Sequence, residues 1–195
     1  MKLSSIGDGD VWVVYDLECT AWPGSAESGW SKPNEFREII QIGAVKVDVN
    51  ANLAEISSCV INVKPKLNPI LSDYITDLTG ITQKVIEDSG LSFPEAAGKF
   101  MEFIGTETDL VCCNGCDTSV LEENCCLNNM ENSFLNYKFV DLMPFFEAEL
   151  GGIDVYPESG KLPELFGLSR KHGRHRGLDD SRNILDVLRY LNHAS

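Results

Sequence analysis

The 195-residue chain has no apolar run near the ~20 residues that a membrane span needs. Its start, MKLSSIGDGD, turns polar where an export signal would carry its hydrophobic stretch. Membrane insertion and secretion by that route are therefore not expected, and a cytoplasmic location is. Basic residues are scarce, with 16 Lys+Arg against 30 Asp+Glu and a formal net charge of −14. That balance argues against a protein that coats nucleic acid, because phosphate binding wants Lys and Arg. The seven cysteines (Cys19, Cys59, Cys112, Cys113, Cys116, Cys125 and Cys126) are odd in number, and four stand in adjacent pairs. Without an export signal they read as reduced thiols rather than a disulfide framework. Cys113-x-x-Cys116 has zinc or redox spacing, but no second CxxC or His pair completes it nearby, so small buried residues fit better. No internal repeat, low-complexity tract or interdomain linker is visible.

What is present is an ordinary globular composition, 43% hydrophobic and 24% charged, in a chain long enough for one domain over residues 1–195. Charge is uneven. Residues 161–195 hold seven Lys/Arg and four Asp/Glu, a local +3 that leaves −17 on residues 1–160. An acidic body with a basic tail suits an enzyme that grips a few phosphates and keeps carboxylates for divalent cations; solubility alone would also account for it.

VWVVY at Val11–Tyr15 is a short apolar, β-branched and aromatic run that predicts a buried strand. Residues 19–35 read as a loop; 38–49 and 53–63 form an antiparallel hairpin around Asn50-Ala51-Asn52. Helical patterns follow at 72–78, ending at Gly80, and at 82–88 and 92–104, the last with an early proline. A strand is expected at 110–113, a helix at 118–128, a strand at 138–140 and a helix at 142–150. Residues 151–160 read as a loop, with helices at 162–166 and 178–191. Hairpin strands followed by alternating α and β segments imply an α/β sheet of mixed direction with helices on its faces.

Three places could carry chemistry. Asp16-x-Glu18 follows the first strand, where residues two apart point to one face. Two acids on one face at a strand's end are costly unless a cation neutralises them, although a strand that simply ends in water would also accommodate them. Asp117 follows the 110–113 strand, where ligands of α/β sheets gather; as an N-cap it would look the same. Lys171 to Ile184 (KHGRHRGLDDSRNI) runs from a basic, His-bearing loop into a helix that opens on two acids. Asp180 lies four residues before Ile184 and continues the apolar stripe of Ile184, Leu188 and Leu191. Asp179 falls in line with Arg182, Asp186 and Arg189, an exposed charge row. Asp180 is therefore the inward acid. Periodicity does not reach His172 and His175, which precede the helix.

In this order and element context, Asp16-x-Glu18, Asp117 and His175-x4-Asp180 resemble the three motifs of the DEDDh 3′→5′ exonucleases. NEFREIIQIGAVKV, LSDYITDLTGIT and LPELFGLSRKHGRHRGLDDSRNI further resemble the short exoribonucleases that trim small RNAs and structured RNA tails, so that the likeness covers residues 10–192. Gln41 stands where relatives often have Glu, and Cys116 where some have a base-stacking aromatic; neither departure touches a ligand position.

The resemblance implies an RNase H-like mixed β-sheet, an antiparallel hairpin plus parallel strands, flanked by helices. It implies a 3′→5′ exonuclease that releases nucleoside 5′-monophosphates from single-stranded nucleic acid, RNA favoured over DNA. Two Mg²⁺ ions, replaceable by Mn²⁺ and ~3.5–4 Å apart, would be held by Asp16, Glu18, Asp117 and Asp180. His175 would be the general base, with His172 as the competitor that geometry alone does not dismiss. Leu17 with Thr79, Gly80 and Ile81 would form the floor under the terminal nucleotide. Trp22 would stack a base, with Trp30 a further candidate, and Arg174 and Arg176, with Arg170 and Lys171, would meet phosphates. Three other functions stay open: a catalytically silent nucleic-acid-binding or scaffold module on this fold, a DNA-directed exonuclease, and a divalent-metal hydrolase of small phosphoesters or nucleotides. A homodimer through exposed strand edges is open.

Overall fold

The apolar run at Val11–Tyr15 forms the first part of strand β1 (Val11–Cys19), which is paired on both sides in a computed structural model describing residues 3–151 and 156–193. β2 (Ile39–Asp48) and β3 (Ala54–Asn62) make the antiparallel hairpin; β4 (Leu110–Cys113) and β5 (Phe139–Asp141) add parallel strands. The order is β3-β2-β1-β4-β5, the expected mixed sheet.

Alternation along β1 divides the core in two. Val13 and Tyr15 face one apolar cluster with Phe93, Phe100 and Ile104 of α4 (Phe93–Ile104) and Val120 and Leu121 of α5 (Asp117–Leu127). Trp12 and Val14 face the other, with Phe146 of α6 (Met143–Glu149) and Ile184, Leu188 and Leu191 of α8 (Gly177–His193). Asp16 and Glu18 continue the Trp12–Val14 face by the same alternation, so the strand turns both acids toward α8.

Several boundaries differ from the sequence reading. β1 does not stop at Tyr15: backbone pairing to Gly43, Gln41 and Ile39 of β2 carries it through Cys19, so the two acids sit inside the strand. The loop over 19–35 contains one helical turn, α1 (Ser25–Ser28), bracketed by Gly24 and Gly29 in left-handed conformation. α2 (Asp73–Thr79) and α3 (Gln83–Ser89) start from Ser72 and Thr82, whose hydroxyls cap them. Asp117 is not an N-cap: Cys116 holds that place and Asp117 is the first helical residue of α5. Asp186 is not an exposed member of its charge row, because its carboxylate is only 11% exposed among Lys171, His172 and Arg189. The loop expected over 151–160 is seen in part. Residues 152–155 lie outside the described residues, and 156–161 end in a tight 3₁₀ turn before α7 (Leu162–Leu165). Among the described residues no helix is long and apolar enough to cross a membrane.

Two backbone features hold the site's frame. A Cβ at Gly43 would collide with the Leu178 amide nitrogen and the Gly177 backbone, so glycine lets the first turn of α8 rest on β2 beside Asp16. Gln41 Oε1 accepts the Gly177 N–H at 3.2 Å, and Ser181 Oγ donates to the Gly43 carbonyl at 2.9 Å. On the other edge of the site, the buried Glu38 carboxylate accepts the backbone N–H groups of Lys66, Leu67 and Asn68 and fixes the chain that leads to α2.

Candidate active site

The packing of α8 on Gly43 brings Asp180 to the two acids of β1. Carboxylate oxygens of Asp16, Glu18 and Asp180 lie within 4.8 Å of one another, and each residue is less than 10% exposed. Asp117 lines the same cavity, of about 200 Å³, and its Oδ2 accepts the Leu17 N–H at 3.2 Å, which ties the start of α5 to the middle of the acid strand. His175, Asn114 and the segment Tyr156, Glu158, Ser159 and Gly160 complete the wall.

Unneutralised, this cluster opposes its own ionisation. Burial, then the charges of Asp117, Asp180 and Glu18, push the Asp16 carboxyl well up, against a Ser159 hydroxyl bond that favours the anion. Burial and the charges of Asp180 and Asp117 do the same to Glu18. Burial raises Asp117 to about 7, opposed by the Leu17 N–H and Arg37. It raises Asp180 to about 6, opposed by the Asn183 amide and the N–H groups of His175 and Arg176. The remedy is a cation, and the donor set, carboxylate oxygens throughout, fits a hard divalent ion such as Mg²⁺ or Mn²⁺.

His175 is the only histidine among the described residues lining the acid cavity. It sits in the left-handed region at φ 56°, an uncommon place for a side chain of this size, and its backbone N–H is held by the Asp180 carboxylate. Burial and the neighbouring Arg174 guanidinium lower its pKa, so the ring is kept neutral and able to accept a proton. His172 is not among the residues lining this cavity; its Nε2 lies 3.7 Å from Asp186.

Next to the acids lies an apolar cavity of about 220 Å³, which shares Leu17, Glu18 and Asp117 with the first. Trp22 and Trp30 both line it, with Tyr74, Ile75 and Leu78 of α2 and the exposed Cys116. Trp30 is fixed by its indole N–H on the Thr20 carbonyl (2.8 Å) and by the Arg37 guanidinium, 5.0 Å from its ring centre. Of the residues expected to floor the terminal nucleotide, Leu17 lines both cavities and Thr79, Gly80 and Ile81 line neither: Thr79 and Ile81 are buried, and the Thr79 hydroxyl is spent on Ile75 and Ile81 backbone. Gly80 instead faces Arg176, whose Nη2 would be 3.0 Å from a Cβ there. Arg176 is exposed, Arg174 stands beside His175 with Nη2 3.4 Å from Glu158, Arg170 is paired with Glu164, and Lys171 with Asp186.

The sequence alone does not bring the 156–160 segment, Asn114 or the α2 side chains to the site, and it marks Gln41 only as a departure from relatives. Only Gly43, a glycine inside an apolar strand, carried a signal that another backbone approaches there.

A family model described as Exonuclease, RNase_T, matches residues 13–188. The chain belongs to this exonuclease family. The 3'-5' exoribonuclease 1 of Mus musculus is 28% identical over 203 residues, covering 96% of this chain and 55% of that protein. ERI1 exoribonuclease 3 of Homo sapiens is 28% identical over 167 residues, covering 80% of this chain and 48% of that protein. The chain thus spans about half the length of these curated relatives. Among solved structures, the nuclease domain of 3'hExo, a DEDDh family member bound to rAMP, superposes with a TM-score of 0.77 at 22% identity, over 96% of this chain and 94% of that one. The fold of the RNase_T family member described above is thus that of the DEDDh nucleases.

Proposed function

We propose that this protein is a metal-dependent 3′→5′ exonuclease that releases nucleoside 5′-monophosphates from the 3′ end of single-stranded nucleic acid, with RNA as the preferred substrate. The observation that carries this reading is the convergence of Asp16, Glu18 and Asp180, three acids from distant parts of the chain, with Asp117 and His175 around one cavity. RNA is favoured by the exoribonuclease relatives.

Asp16, Glu18 and Asp180 would hold divalent cations, with Asp117 assisting from the α5 side. Bound there, such ions make water more acidic and neutralise the charge that builds on the phosphoryl group and the leaving 3′ oxygen. His175 accepts the proton of the attacking water on its neutral ring, and the Asp180 carboxylate fixes the ring's backbone. The terminal base enters the apolar cavity beside Leu17, between Trp22 and the α2 residues Tyr74 and Leu78. Arg174, beside His175, and Arg176, beside Gly80, meet phosphates of the substrate backbone.

The test uses a 5′-labelled single-stranded RNA and the matching DNA, each with Mg²⁺, Mn²⁺ or EDTA. The expected result is a ladder that shortens by single nucleotides from the 3′ end, faster on RNA, absent in EDTA and absent for Asp180→Asn. Binding without shortening would replace this reading with the silent module, and faster shortening of DNA would reverse the substrate preference.

A further inference from the structure

Glu158 is a fifth carboxylate on the wall of a cavity whose four motif acids already repel one another. An extra negative charge where a phosphate must enter needs a reason. Its partners supply one: Glu158 Oε2 lies 2.9 Å from Lys161 Nζ and 3.4 Å from Arg174 Nη2. The Arg174 contact is the looser of the two and uses one nitrogen of the guanidinium. The neighbouring Nε on the same edge is buried with no hydrogen-bond partner. Arg174 therefore holds a half-used donor fork. It is also well placed, because its stem packs on Gly160, where a Cβ would lie 2.9 Å from its Cγ, and Nη2 is 3.4 Å from His175 Nε2.

We infer that Glu158 is a stand-in for the scissile phosphate on Arg174: it occupies the guanidinium in the empty enzyme and yields it when a 3′ end enters. Carboxylate and phosphate oxygens address the same fork, but a phosphate can take Nε and Nη2 together where Glu158 takes only Nη2. The exchange strands neither charge, since Glu158 keeps Lys161, its nearer partner. The phosphate arrives beside the ring that takes the water's proton. Glu158 thus acts through Arg174 as a positioning and competing group, and its carboxylate sets how tightly the 3′ end is held. This inference rests on the exonuclease reading.

The experiment measures binding of adenosine 5′-monophosphate with Mg²⁺ by calorimetry, and KM and kcat on single-stranded RNA. Proteins compared are the wild type, Glu158→Gln, Glu158→Ala, Arg174→Ala and the double variant Glu158→Gln/Arg174→Ala, all checked by thermal melting. Releasing a half-exposed carboxylate–guanidinium contact corresponds to about a two- to fivefold tightening. Glu158→Gln is therefore expected to tighten the monophosphate about two- to fivefold and to lower KM rather than change kcat. In the Arg174→Ala background the same substitution should change nothing, because the competitor has lost its target. Equal tightening with and without Arg174 would mean plain charge repulsion and overturn the inference, as would no tightening in either glutamate variant. A wild type that degrades RNA while Glu158→Gln behaves like it sinks this inference alone. A wild type that neither degrades RNA nor binds the monophosphate sinks the exonuclease reading with it.

Discussion

Without a cation the acid cluster should make the fold less stable as pH rises, and Mg²⁺ should reverse this. The sign follows from the raised pKa values. Asp16 and Glu18 are pushed well up, Asp117 to about 7 and Asp180 to about 6, whereas the unfolded chain releases these protons near ~4. Below their folded-state pKa values the native acids hold protons that the unfolded chain has released, so stability falls with rising pH from about 4, through the ionisation of Asp180 near 6 and Asp117 near 7, and goes on falling while Asp16 and Glu18 remain protonated in the folded state. His175 works the other way, because its lowered pKa means that the unfolded chain takes up more protons below ~6.5; one partly exposed ring against four carboxylates offsets only part of the trend. A carboxyl raised from ~4 to about 7, as Asp117 is, weighs up to ~4 kcal/mol. Asp117 is partly exposed and the four acids share one field, so their shifts do not add, and about 2–4 kcal/mol is expected for the cluster. For a chain of this length that is about 5–15 °C in Tm. The assay is thermal melting from pH 5 to pH 8 in EDTA and in millimolar Mg²⁺. Tm in EDTA should fall across the range, and the rise on adding Mg²⁺ should be large at pH 8 and small at pH 5, since the ion binds the ionised, folded site. A Tm in EDTA that stays flat or climbs, or a Mg²⁺ shift equal at both pH values, would show that the acids do not share one field.

His175→Ala should lower kcat by about 10²–10⁴-fold, the usual range for a lost general base. His172→Ala should stay within a few-fold, because His172 faces Asp186; single-turnover cleavage of labelled RNA separates the two. Glu38→Ala removes the acceptor of three backbone N–H groups and should cost about 2–4 kcal/mol in urea unfolding, while Glu38→Gln, which keeps an acceptor, should cost less. Gly43→Ala should lower Tm by about 2–12 °C through overpacking against the first turn of α8 and should also blunt the Mg²⁺ shift, because Asp180 moves with that turn. A normal Mg²⁺ shift in Gly43→Ala would separate the packing of α8 from the placement of its acid.

What could be read ahead of the structure is what local periodicity controls. The apolar stripe of α8 put Asp180 inward and Asp179 outward, and Asp180 is 3% exposed. Alternation put Asp16 and Glu18 on one face, and the hairpin followed from its turn residues. What could not be read depends on contacts between distant segments. β1 outlasts its apolar run because β2 supplies hydrogen-bond partners to the acids, and no composition rule sees the far strand. Asp186 belongs by spacing to an exposed row, yet Lys171 and His172 from the loop and Arg189 from the helix close over it. The same limit explains Arg174. Its position in a basic loop marked it as a phosphate ligand, and only the folded chain brings Glu158, sixteen residues earlier, against it. Charge counting along this chain therefore describes its solubility better than its chemistry. Of the tail's seven basic residues, six are paired with carboxylates: Lys161 and Arg174 with Glu158, Arg170 with Glu164, Lys171 and Arg189 with Asp186, and Arg182 with Glu55. The grip on substrate then depends on which of those pairs a phosphate can break, and the Arg174–Glu158 pair beside His175 is the one that leaves a buried donor, Arg174 Nε, unused.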